Sequence, residues 1–147
     1  MSSDYVPDAD HIMRHVPYAK MGRDEETGAC WPLWTAFELR ADEEFLSATW
    51  LEYFSGSHSE QISQAIGATA DGRTLGKKSG FAIGNVGNIK KNCEIGGARI
   101  RVTSEPVGNN LAHVALRRWP REEQELLAII AADAWSEMVM IKDFLPA

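Results

Sequence analysis

Ala98-Arg99-Ile100-Arg101-Val102-Thr103, the turn Pro106-Val107-Gly108-Asn109-Asn110 and the run Ala112 to Trp119 together decide the fold. The first segment alternates apolar and polar side chains with period 2, as a strand with one wet face does. The second carries the Pro, Gly and Asn chemistry of a turn, and the third reads as the returning strand, so the two strands form a hairpin-like pair. Pro120 and Arg121 then open the strongest helical pattern of the chain, running to about 136. Its apolar face holds Leu126, Leu127, Ile129, Ile130, Ala134 and Trp135, and Glu122 and Glu123 complement its N-terminal dipole. A hairpin followed by an amphipathic helix sets the class as α+β.

The remaining elements are read outward from there. Ser57-His58-Ser59-Glu60 has the spacing of a capping box, which predicts a helix from 58 to about 68 with Ile62, Ala65 and Ile66 facing inward. Thr69 to Gly80 is a turn-rich connector. Phe81-Ala82-Ile83 reads as a short buried strand, and Val86 to Glu94 as a helix ended by Gly96-Gly97. Phe45 to Phe54 reads as a strand passing into a helical turn, 35–39 as a strand or extended segment, and 22–30 as an exposed acidic loop. Asp8 or Asp10 caps a short helix through His15, which Pro17 ends. The expectation is a flexible leader over 1–9 and a single α+β domain over 10–147, with a small mixed or antiparallel sheet packed by two to four helices.

The chain has 147 residues and 44% apolar content, enough for one core that buries roughly 70% of the unfolded chain's surface. Its net charge of −6 argues against unspecific binding to nucleic acid or anionic membrane. The basic pairs Lys77-Lys78, Lys90-Lys91 and Arg117-Arg118 lack the aromatic interleaving of a single-strand groove. Cys30 and Cys93 stand far apart with no CxxC pair, which removes a zinc knuckle or thioredoxin-type motif and leaves two buried or half-buried thiols. Met1-Ser2-Ser3-Asp4-Tyr5 has neither the positive nor the apolar region of a secretory signal, and no apolar run approaches the roughly 20 residues of a membrane span. The expectation is a soluble cytoplasmic protein.

Candidate chemistry concentrates in Asp10-His11-Ile12-Met13-Arg14-His15-Val16-Pro17-Tyr18. On a helix, His11 and His15 would share a face with Arg14 beside them. The zinc-protease pattern fails because Ile12 stands where its glutamate belongs, and no metal or other cofactor is assigned. The remaining chemistry is an anion clamp at Arg14 with His11 as acid or base, His15 being read as a packing or capping residue before Pro17. His113 begins a strand beside a turn, on the face of Ala115 and Arg117, where it can reach a cleft. Ser47 lies on a strand and could line a pocket with His11 or His113, whereas Ser57 is accounted for by capping. Gly72 to Ser79 is not a phosphate loop, since three residues instead of four separate its first glycines and lysine replaces the hydroxyl. Gly84-Asn85-Val86-Gly87 reads as a tight turn.

Asp10 to Pro17, Phe37, Leu46-Ser47 and Pro106 to Val114 together resemble a group of small uncharacterised bacterial proteins with an early His-x-x-Arg and a late Asn/Asp-x-Ala-His turn. The resemblance spans 8–119, with Leu111 in place of the usual proline before Ala-His. It brings no activity, and it implies His11, Arg14, Ser47 and His113 as one set. Two functions follow as expectations. One is a binding or accessory protein, perhaps of a bacterial defence-like multi-gene system, that meets a protein partner or a second copy through tryptophans such as Trp31 and Trp34. The other is a small transferase or hydrolase acting on an anionic, nucleotide-like substrate. Convergence of the four residues on one pocket favours the second.

Overall fold

The computed structural model describes residues 4–144. The chain runs β1 (His11–Val16), β2 (Met21–Arg23), β3 (Cys30–Pro32), β4 (Phe45–Trp50), α1 (His58–Ala70), β5 (Gly80–Asn85), α2 (Val86–Ile95), β6 (Arg101–Ser104), β7 (His113–Arg117), α3 (Gln124–Asp133) and β8 (Glu137–Met140). Six strands form one sheet in the order β6-β7-β4-β1-β5-β8, every neighbouring pair antiparallel, and β2 and β3 form a separate ribbon. The fold is a single α+β domain.

The pleat divides the core in two. Ile12, Val16, Leu46, Ala48, Ala82, Val114 and Leu116 project to one face, where they pack with Val86, Ile89 and Cys93 of α2 and Leu126, Leu127, Ile130 and Ala131 of α3. Met13, Phe81 and Ile83 project to the other, against Ile62 and Ala65 of α1. Each fully buried Leu, Ile or Phe of this kind contributes roughly 1.5–3 kcal/mol of transfer free energy. Phe37 stacks on Trp135 with centroids 4.9 Å apart, and the Trp119 indole N–H donates to the Phe37 carbonyl at 2.7 Å. That bond anchors the 34–37 segment against the end of β7.

The hairpin of β6 and β7 forms with Val102 opposite Leu116 and Thr103 opposite Ala115. The capping box forms too: Ser57 accepts from the Glu60 N–H and Glu60 accepts from the Ser57 N–H. In α2, Asn85 caps the first turn by accepting from the Asn88 N–H, so strand β5 passes into the helix directly.

Four expectations are corrected. Residues 11–16 are a strand and not a helix, because their alternation lets all six pair with β5, from His11 opposite Asn85 to Val16 opposite Gly80. Trp34–Phe37 is a 3-10 turn instead of an extended segment, which brings Ala36 and Phe37 into the core. Helix α3 begins at Gln124 because Glu122 adopts a left-handed φ of 55°, and it stops at Asp133, short of strand β8. The leader is docked from Asp4 onward: Tyr5 bridges to Thr103, the Val6 N–H donates to the Val102 carbonyl at 3.0 Å, and Val6 is buried. This contact covers the free edge of β6, whose ladder groups would otherwise stand unpaired. Residues 1–3 lie outside the described residues. Among the described residues no helix is long and apolar enough to cross a membrane.

Candidate functional site

The sheet opens at one seam. Strands β1 and β4 are in register at Ile12–Trp50 and Met13–Thr49 and pair no further among the described residues. Beyond that point the Arg14 side chain bridges what faces it: its Nε–H donates to the Ala36 carbonyl and its Nη1 to the Ser47 carbonyl, both at 2.7 Å. A guanidinium carries five N–H donors, so these two bonds leave three uncommitted. Among the described residues no carboxylate forms an ion pair with Arg14. Burial pushes its pKa down to about 10, opposed by the charge of Glu43 and reinforced by that of Arg40. A buried, unneutralised cation is an unfavourable arrangement unless an anion joins it.

A cavity of about 490 Å³ opens at this seam, with Arg14, His15, Ser47, Thr49, Asp71 and His113 in its wall. Thr49 faces His113 across β4 and β7. Asn110 donates to Thr49 Oγ1 at 3.0 Å, and Thr49 shares a hydrogen bond of 2.9 Å with Thr69 at the end of α1. Asn110 also accepts from the Ala112 N–H at 3.0 Å, so the turn entering β7 is tied to the cavity floor.

His113 Nδ1 lies 2.8 Å from the Glu105 carbonyl. A carbonyl only accepts, so Nδ1 carries the proton, and the neutral ring presents Nε2 as a base or acceptor. Burial lowers the His113 pKa, against the raising effects of that backbone bond and of the Glu105 charge. Glu105 in turn is gripped by Arg117 through bonds of 2.7 and 2.6 Å, which hold its carboxyl down at about 2. The imidazole therefore sits neutral and fixed in orientation.

Two cavity-wall atoms are buried and have no hydrogen-bond partner among the described residues: His15 Nε2 and Asp71 Oδ1. Burial lowers the His15 pKa, with further lowering from Arg14 and Arg73, so this ring too is neutral near pH 7. Asp71 caps α1 in the left-handed region at φ 47°. Its Oδ2 takes the Asn109 N–H at 3.4 Å and lies 2.6 Å from where a Cβ on Gly108 would fall. Lys20, Arg40 and Arg73 join Arg14 in the wall against the acidic Glu43 and Asp71, so the cavity is locally positive in a chain of net charge −6.

The structure thus places Arg14, Ser47 and His113 around one cavity, and His11 apart from them. His11 pairs with Glu52, its backbone N–H and its Nδ1 each 2.7 Å from a carboxylate oxygen. Ser47 meets Arg14 through its carbonyl. The residues that sequence reasoning missed are His15, set aside as a packing residue, and Asp71. For His15 the signal was present, since strand alternation separates His15 and Met13 from Arg14, whereas helical spacing groups His11 with His15. Asp71 had no such signal, because its role depends on the fold bringing the end of α1 to the seam.

Metal chemistry has no evident frame: among the described residues no three His, Cys, Asp or Glu side chains gather in a way that could hold a metal ion. A second groove of about 480 Å³ lies between β3 and α3, with Trp31, Leu33, Trp34 and Trp135 in its wall. Trp31 and Leu33 are exposed there, and the Trp135 indole N–H is buried without a partner. Cys30 is half-buried; Cys93 is buried, its thiol pushed up to about 12 by desolvation. No family model, curated protein or solved structure matches this chain.

Proposed function

We propose that this protein binds a small anionic molecule at the β1–β4 seam and acts on it by acid–base chemistry, as a small hydrolase or transferase. The observation that carries the reading is Arg14, a buried guanidinium with three free donors and no carboxylate partner, in the wall of a cavity. A carboxylate or phosphate takes such a fork in a bidentate geometry. His113, neutral with Nε2 open, then draws the proton from an attacking water or hydroxyl while Arg14 holds the anion in place. Thr49 and Asn110 fix the floor on which the reacting group rests.

The test is calorimetric titration with orthophosphate, succinate and adenosine monophosphate, on wild type and on Arg14→Lys. Lysine keeps the charge but loses the fork. The expected result is binding of at least one of the three in wild type and a weakening of tenfold or more in Arg14→Lys, with turnover of a bound ester lost in His113→Gln. Absence of binding by all three, or equal binding in the lysine variant, overturns the anion reading. Binding that persists with no turnover of phosphate or carboxylate esters leaves a binding protein and removes the catalytic half.

The exposed Trp31 and Leu33 beside the second groove favour a second reading, an accessory protein that meets a protein partner or a second copy. Sedimentation equilibrium of wild type and Trp31→Ser separates these: a concentration-dependent mass abolished by the substitution supports a second copy, and a constant monomer mass excludes it.

A further inference from the structure

We infer that the anion taken by the seam carries a hydroxyl group, which sits between Asp71 and His15. The inference rests on the anion reading above and concerns the far end of the same molecule. Arg14 accounts for the negative group, but it leaves two buried polar atoms of the cavity wall unanswered, His15 Nε2 and Asp71 Oδ1. An unpaired buried polar atom is unfavourable by roughly 1–3 kcal/mol, and native folds retain very few of them. Finding two in one cavity, beside a buried cation without its counter-ion, points to a partner with more than one polar group.

The chemistry of the two atoms narrows that group. Asp71 Oδ2 is already engaged by the Asn109 N–H, and the absence of a side chain at Gly108 is what allows the turn to come so close. The free Oδ1 is an acceptor and requires a donor. His15 Nε2 accepts or donates according to its tautomer. A hydroxyl satisfies both, giving its proton to Asp71 and its lone pair, where needed, to the imidazole. An ammonium cannot accept, and it would enter a wall that already holds Arg14, Lys20, Arg40 and Arg73 against Glu43 and Asp71. The ligand class is therefore a hydroxylated anion, such as a polyol phosphate or a hydroxy acid.

Matched probes test this on the full chain: ethyl, 2-hydroxyethyl and 2-aminoethyl phosphate, the corresponding propionates, and glycerol 3-phosphate and ribose 5-phosphate for longer reach. Affinities are measured by calorimetry on wild type and on Asp71→Asn. Asparagine is chosen because it tolerates the left-handed backbone that Asp71 adopts. The expected result is that at least one hydroxylated probe binds wild type tenfold or more tighter than its unhydroxylated counterpart, and that the advantage falls below threefold in Asp71→Asn. Equal affinity of hydroxylated and plain anions overturns the inference while leaving the anion site standing. Preference for the amino probe also overturns it. Failure of every anion to bind instead brings down the anion reading itself, so the two failures are told apart.

Discussion

The two sides of strand β1 are built to opposite ends. Toward β5 all six residues are in register, and the side chains on one face, Met13 beside Ile83 and His15 beside Phe81, close against α1. Toward β4 only Ile12 and Met13 pair, and Arg14 stands where the ladder stops. Each backbone bond forgone there is worth about 0.5–1.5 kcal/mol net, and a desolvated cation is unfavourable by several more. A fold bears such a seam only if its neighbourhood is stable enough to hold it open. The difference teaches that stability and the candidate chemistry are separated across the width of a single strand.

Breaking the closed side has the largest expected effect. Phe81 is fully buried in the second core, and Phe81→Ala should lower unfolding free energy by about 3–5 kcal/mol, measured by urea denaturation. A loss under about 1 kcal/mol would mean that the closed side does not carry the fold. Arg14→Met should lower it less, by about 1–3 kcal/mol, because the Ala36 and Ser47 carbonyls lose their donor while the buried charge is removed. If this variant were as damaging as Phe81→Ala, Arg14 would be a structural strut and the contrast between the two sides would disappear. Ser57→Ala removes the cap of α1, at its end away from Asp71, and should lower stability by about 1 kcal/mol with anion affinity unchanged. An affinity loss there would show that the seam depends on the whole helix.

How much of this was legible depends on the range of the interactions. The β6–β7 hairpin, the cap of α1 and the strand-then-turn of 45–54 are written in local chemistry: alternation, turn residues and a capping box. Strand β1 was not, because Asp10 before it and Pro17 after it imitate helix punctuation, and only the ladder offered by β5 decides the matter. That one error exchanged His15 for His11 in the candidate set. Strand β8 was hidden for a related reason, since the apolar run of α3 continues through Ala134 and Trp135 into Met138, and the break after Asp133 is set by packing. Arg14 and His113 were legible as candidates from residue type and placement alone. Their meeting with Asp71 is a product of sheet order, on which a sequence is silent.

The smallest expected effect is a pH dependence confined to the seam. Burial lowers the pKa of both His15 and His113 below the ordinary value of 6.5, so the folded state binds fewer protons than the unfolded chain in the window beneath that value. Stability is then fully present above pH 6.5 and declines as pH falls through 6.5 toward the lowered values. Met13, Phe81 and Ile83 on the closed side do not titrate, and Glu105, held at about 2, stays ionised throughout. Urea midpoints measured from pH 8 to pH 5 should therefore fall in wild type and fall less in the double variant His15→Gln with His113→Gln, which leaves His11 and His58 beside Glu52 and Glu137. An equal fall in both proteins would place the proton uptake outside the cavity and remove the seam's claim to neutral, available imidazoles. Added phosphate gives the sharper form of the same experiment. An anion at Arg14 favours the protonated rings, so the wild-type decline should become shallower with phosphate present, and in Arg14→Met the phosphate should make no difference.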